Sequence, residues 1–76
     1  MTLDRAQVLH LKAGGIRPGD EVVYLLYGVD GASHPVATRA EEVSYSRRGT
    51  WITLFGEDGP RRLPVTHPVV VVRGLA

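Results

Sequence analysis

The stretch from Thr50 to Thr66 leaves a chain of this length few choices. Two β-prone runs, Thr50-Trp51-Ile52-Thr53-Leu54-Phe55 and Arg61-Arg62-Leu63-Pro64-Val65-Thr66, flank the cluster Gly56-Glu57-Asp58-Gly59-Pro60. The cluster is long enough for a hairpin loop and too polar to continue a strand, so the stretch predicts a β-hairpin. A hairpin is not stable by itself and must bury one face against the rest of the chain. Alternation puts Ile52 and Leu54 on one face and Trp51, Thr53 and Phe55 on the other. The expected core is Ile52, Leu54, Leu63 and Val65 with Val43 and Val70 or Val71.

With 76 residues in total, the rest of the chain has room for one domain. A chain this short buries only about 60% of its unfolded surface, which leaves little core to spare for a catalytic cavity. There is no Cys, which excludes disulfides, zinc–thiolate sites and thiol nucleophiles, and fits an intracellular, cytoplasmic setting. The longest apolar runs, Val22 to Tyr27 and Val69 to Val72, are far too short to span a bilayer as helices. No membrane partner is expected.

Before the hairpin, Thr2 as an N-cap, Asp4 in a first turn and Gly14-Gly15 as a stop suggest a helix over Leu3 to Ala13. Leu3, Val8, Leu9 and Leu11 form a ragged stripe at helical spacing, and an extended arm is the alternative. The reading divides the chain into residues 1–15, the helix or arm, and residues 16–76, the β domain. Arg17-Pro18-Gly19-Asp20 reads as a turn. Glu21 to Tyr27 follows as a strand apolar on both faces, as expected where one face is core and the other is covered, here by the helix. Gly28 to Pro35 is a loop by composition, Val36 to Ser46 a long strand bent around Arg39 to Glu42, and Val69 to Arg73 a last strand after the Thr66-His67-Pro68 corner. The fold class is therefore mainly β, with about five antiparallel strands in a small barrel or sandwich.

This strand order, with Leu25-Leu26-Tyr27-Gly28-Val29-Asp30 before the first loop, Trp51 opening the middle strand and Leu63-Pro64 followed by His67, resembles the peptide-binding SH3 domains. The resemblance spans roughly residues 20 to 73 and implies a five-stranded SH3-like barrel whose aromatic surface takes in Tyr27 and Trp51. The chain departs from that pattern in placing His67 where an aromatic is expected and Pro35 at a strand entry. Pro18-Gly19-Asp20-Glu21-Val22 followed by Gly28 to Gly31 is similar to the KOW and Tudor-like modules of transcription and translation factors. That second resemblance implies a nucleic-acid partner.

His10, His34 and His67 lie on separate elements, so no metal or other cofactor is expected, and no Gly-rich phosphate loop precedes a helix. Ser44 and Ser46 alternate with core residues, and Glu41-Glu42 is a solvated bulge rather than an acid/base pair. The expectation is a protein that is not an enzyme. The aromatics carry more information, because Trp51 and Phe55 on the outside would mark a partner surface. Arg47 and Arg48 precede Trp51, and Arg61 and Arg62 follow the hairpin, with about 20 Å of strand between the pairs. The candidate binding residues are thus Tyr27, Arg47, Arg48, Trp51, Phe55, Arg61 and Arg62. A protein or peptide is the first choice of partner. Single-stranded nucleic acid or RNA is the alternative, set against a net charge of only +1 and interleaved acidic residues.

Overall fold

The computed structural model describes residues 6–74. They form seven strands: β1 (Ala6–Lys12), β2 (Glu21–Tyr27), β3 (Ser33–Arg39), β4 (Glu42–Tyr45), β5 (Trp51–Gly56), β6 (Gly59–Pro64) and β7 (Pro68–Gly74). A single 3-10 turn over Ala13–Gly15 follows β1. Every pairing is antiparallel, in one sheet ordered β1-β7-β2-β3 and another ordered β4-β5-β6. Both sheets keep open edges, so the described residues form no closed barrel, and seven strands replace the five expected.

The core lies between the two sheets. In β2 Val22 and Tyr24 are buried while Val23 and Leu25 are exposed, and in β7 Val69 and Val71 are buried. From the second sheet Ile52, Leu54 and Leu63 meet them, with Ala13, Ile16 and Ala40 filling the junction. Fully burying a branched aliphatic side chain contributes about 1.5–3 kcal/mol, so this single layer is the main source of stability. Val43 and Val65 pack against it only partly buried, and of the two β7 candidates Val71 is the core residue.

Among the described residues the helix expected over Leu3 to Ala13 is not there. Its first residues lie outside the described part, and Ala6 to Lys12 is strand β1, paired with β7 along its whole length from Ala6↔Gly74 to Lys12↔Pro68. The reason is non-local. The Val69-Val70-Val71-Val72 run of β7 has a β2 partner on one side only, and β1 satisfies the other, with Leu9 and Leu11 turned to the core. Of the residues that gave a ragged stripe at helical spacing, strand spacing brings Leu9 and Leu11 together on the core side and turns Val8 outward.

The long strand expected over Val36 to Ser46 is two strands in different sheets. The chain changes sheet at Ala40 and Glu41, inside the predicted bend. Ala40 has no exposed surface; its N–H donates to Asp20 O at 2.8 Å and its carbonyl accepts from Gly19 N at 2.6 Å, while Glu41 N donates to Phe55 O at 2.9 Å. The clamp comes from the turn Arg17–Asp20. Pro18 occupies the second position and Gly19, at φ 92°, supplies the left-handed third position that a type II turn requires. Asp20, 2% exposed, accepts from Arg17 N at 2.8 Å and from Arg73 Nε and Nη2 at 3.0 and 2.9 Å. Arg73 also donates to Gly15 O. One turn thereby ties β2, β7 and the sheet-changing corner together.

Candidate binding surface

The outer face of the β4–β6 sheet follows from register. Trp51, Thr53 and Phe55 of β5 stand opposite Pro64, Arg62 and Pro60 of β6, and Thr53 and Phe55 stand opposite Ser44 and Glu42 of β4. Residues directly opposed in an antiparallel pair share a face. The face therefore holds two aromatics, two prolines, one arginine and one carboxylate. Trp51 and Phe55 are 38% and 40% exposed, as the alternation predicted once Ile52 and Leu54 take the core side.

Local bonds fix the start of this surface. Trp51 N donates to Ser46 Oγ at 3.1 Å, and Ser46 N donates to Trp51 O at 2.9 Å. Arg47 and Arg48 sit in the exposed turn between these bonds. Arg62, diagonal to Trp51 across the ladder, lays its guanidinium 4.4 Å from the centre of the indole ring. Such a contact is electrostatic attraction to the ring face, and it also holds the arginine flat against the sheet.

Not every expected residue reaches this face. Arg61 stands opposite Leu54 and so projects to the core side of β6; its Nε is buried without a hydrogen-bond partner among the described residues. Burial pushes the Tyr24 phenol above its usual pKa, and the Arg61 charge opposes that rise. Tyr27, 69% exposed, belongs to the outer face of the other sheet, apart from Trp51. The structure thus gathers Trp51, Phe55 and Arg62, with Arg47 and Arg48 in the turn leading into Trp51, and sets Arg61 and Tyr27 elsewhere. Pro60 and Pro64 were missed, although strand parity alone places them beside the aromatics.

Tyr27 borders a groove of about 700 Å³, also lined by Lys12, Val23, Leu25, Val70 and His67. It opens because β2 leaves β7 after Val23↔Val70. Continuing that register would set Leu25 opposite Pro68, which has no N–H to give. Instead His67 Nε2 lies 3.1 Å from Leu25 O, so the Nε2–H tautomer donates there, with the imidazole and Tyr24 rings in a T-shaped arrangement at 6.0 Å between ring centres. Among the described residues no three His, Asp or Glu side chains gather closely enough to hold a metal ion, and no helix is long and apolar enough to cross a membrane.

No protein-family model, curated protein or solved structure matches this chain.

Proposed function

We propose that this chain is a non-catalytic binding module that takes up an extended segment of a protein on the outer face of β4–β6. In this reading the strand order from β2 to β7 is an SH3-like arrangement in which the first sheet has gained β1. Trp51 and Phe55 are the apolar anchors, and Arg62, Arg47 and Arg48 supply charge at one end. The observation that carries the proposal is the pair of exposed aromatics on one sheet face with a guanidinium stacked on the larger ring. Rigid aromatic and arginine side chains together are the usual composition of binding hot spots.

Two features favour a protein over a nucleic-acid backbone. Arg62 already covers part of the indole face on which a base would stack. Arg61 faces the core side and Glu42 stands beside Phe55, so the second basic pair of a phosphate-tracking groove is broken up.

The test starts with a pull-down, run in parallel with and without nuclease, followed by titration of the captured partner against Trp51→Ala and Arg48→Ala at two salt concentrations. Trp51→Ala is expected to keep the fold intact and lose about 2 kcal/mol or more of binding, and Arg48→Ala to leave the salt dependence nearly unchanged. A nuclease-sensitive partner whose salt slope falls by about one on losing Arg48 would establish the nucleic-acid reading instead. Unchanged affinity in Trp51→Ala, or its unfolding, would remove this surface from consideration.

A further inference from the structure

Among the described residues the two sheets have four open edges, and they are not equally protected. Edge strands invite pairing with other chains, and proteins guard them with proline, short length or charge. β3 carries Pro35 as its third residue, β4 is only four residues long, and β6 carries Pro60 and Pro64. β1 is a seven-residue strand with no proline, no glycine and no carboxylate, and its one charge, Lys12, sits at its end. Among the described residues its only neighbour is β7.

Both faces of this edge carry apolar side chains beside polar ones, Val8 with His10 and Lys12 outside and Leu9 and Leu11 with Gln7 on the core side. Val8 is 62% exposed on the outer face, while Leu9 and Leu11 face the core side and are only partly buried. Something that continues the strand ladder would cover both faces at once.

We propose that this occupant is a second copy of the chain, pairing β1 to β1 antiparallel so that the two four-stranded sheets become one. The strand's own pattern selects the copy. A two-fold axis through Leu9 overlaps Ala6 to Lys12 completely and keeps outer face with outer face, as an isologous contact must. It sets Leu9 opposite Leu9 of the second copy, burying two half-covered leucines against each other. Val8 then faces His10, Gln7 faces Leu11 and Ala6 faces Lys12. The two Lys12 charges end up at opposite ends of the joined strands, about 20 Å apart, and the net charge of +1 per chain offers little repulsion. A basic foreign strand would find no complementary charge along this edge, and an acidic one only Lys12 at its end.

A strand-pair interface is small, so the dimer should be weak and depend on concentration. Sedimentation velocity of the intact chain over a wide concentration range is expected to show a monomer–dimer equilibrium. Val8→Lys combined with His10→Lys places four cations on the joined outer face and should give a monomer whose melting temperature equals that of the wild type at dilutions where the wild type is also monomeric, since both side chains are exposed. The register has a direct probe, because the chain contains no cysteine. In Val8→Cys/His10→Cys each new thiol faces one of the second copy across the ladder at about 5 Å between Cβ atoms, and mild oxidation should give a covalent dimer. A wild-type chain that stays monomeric at every concentration overturns the proposal. So does a dimer that survives the double lysine variant, or one that the paired cysteines fail to cross-link.

Discussion

Replacing Asp20 by Asn changes shape hardly at all and removes the one charge that holds the Arg17–Asp20 turn to β7. In the native turn the carboxylate accepts three hydrogen bonds, two of them from Arg73. Burial pushes this carboxyl up, but hydrogen bonds from Arg73 and Arg17 N, with the charges of both arginines, outweigh it and hold its pKa below the ordinary 3.8. An amide offers one acceptor oxygen, so whichever way it turns at least one N–H of Arg73 meets an NH2 group. Hydrogen bonds to charged groups contribute about 1.5–3 kcal/mol each, and breaking a fully buried ion pair costs about 3–5 kcal/mol. The Arg73 side chain keeps 20% of its surface in water and retains Gly15 O, so we expect a loss of about 2–3 kcal/mol. For a domain of this size that lowers the melting temperature by about 8–24 °C. The sign of the pH dependence follows from the depressed pKa. The contribution is complete above the ordinary carboxylate range and is lost as the pH falls through 3.8 towards the lower folded value. Thermal melts followed by circular dichroism should therefore show a wide gap between wild type and Asp20→Asn at neutral pH that narrows in acid. A neutral-pH gap below about 4 °C, or one just as wide near pH 2, would show that the turn is held by its backbone bonds alone.

Leu54→Ala should cost about 2–5 kcal/mol in a urea titration, because Leu54 is 1% exposed at the centre of the core and the site is framed by both sheets; a loss under about 1 kcal/mol would mean that the core collapses around the gap. Gly56→Ala should destabilise by about 1–3 kcal/mol, since a Cβ at that position would lie 2.5 Å from Arg39 O and 3.3 Å from Thr38 Oγ1. A melting temperature equal to wild type would show that the sheet-changing corner yields freely.

The parts of the fold legible in the sequence are those fixed by local chemistry. The hairpin, the Pro18-Gly19 turn and the face on which Ile52 and Leu54 lie all follow from turn residues and strand alternation, although the hairpin turn is tighter than the expected Gly56–Pro60 loop, Gly56 pairing with Gly59 and Pro60 with Phe55. What was not legible is what depends on distant pairing. Ala6 to Lys12 can be drawn as helix or strand, and the decision belongs to β7, which needs a second neighbour. Likewise the bend near Arg39 was visible, but a bend and a change of sheet look alike until Ala40 is seen clamped to Asp20. The split of Arg61 from Arg62 is a different kind of miss. Neighbours on a strand face opposite ways, and Arg61 shares parity with Leu63, so the core-side placement was readable from the register of the hairpin.

The position of β7 has a consequence for how the chain is made. It is the last of the seven strands in sequence and yet lies inside its sheet, between β1 and β2. While the chain is being synthesised, β1 has nothing to pair with for more than fifty residues, since its partners run from Pro68 to Gly74. The β4–β6 meander can form early, being built entirely from neighbours in sequence. The first sheet cannot close until β7 arrives, and long-range pairing of that kind is slow. In the interval β1 and the β7-facing edge of β2 both stand unpaired, the condition in which a β chain is most open to mispairing.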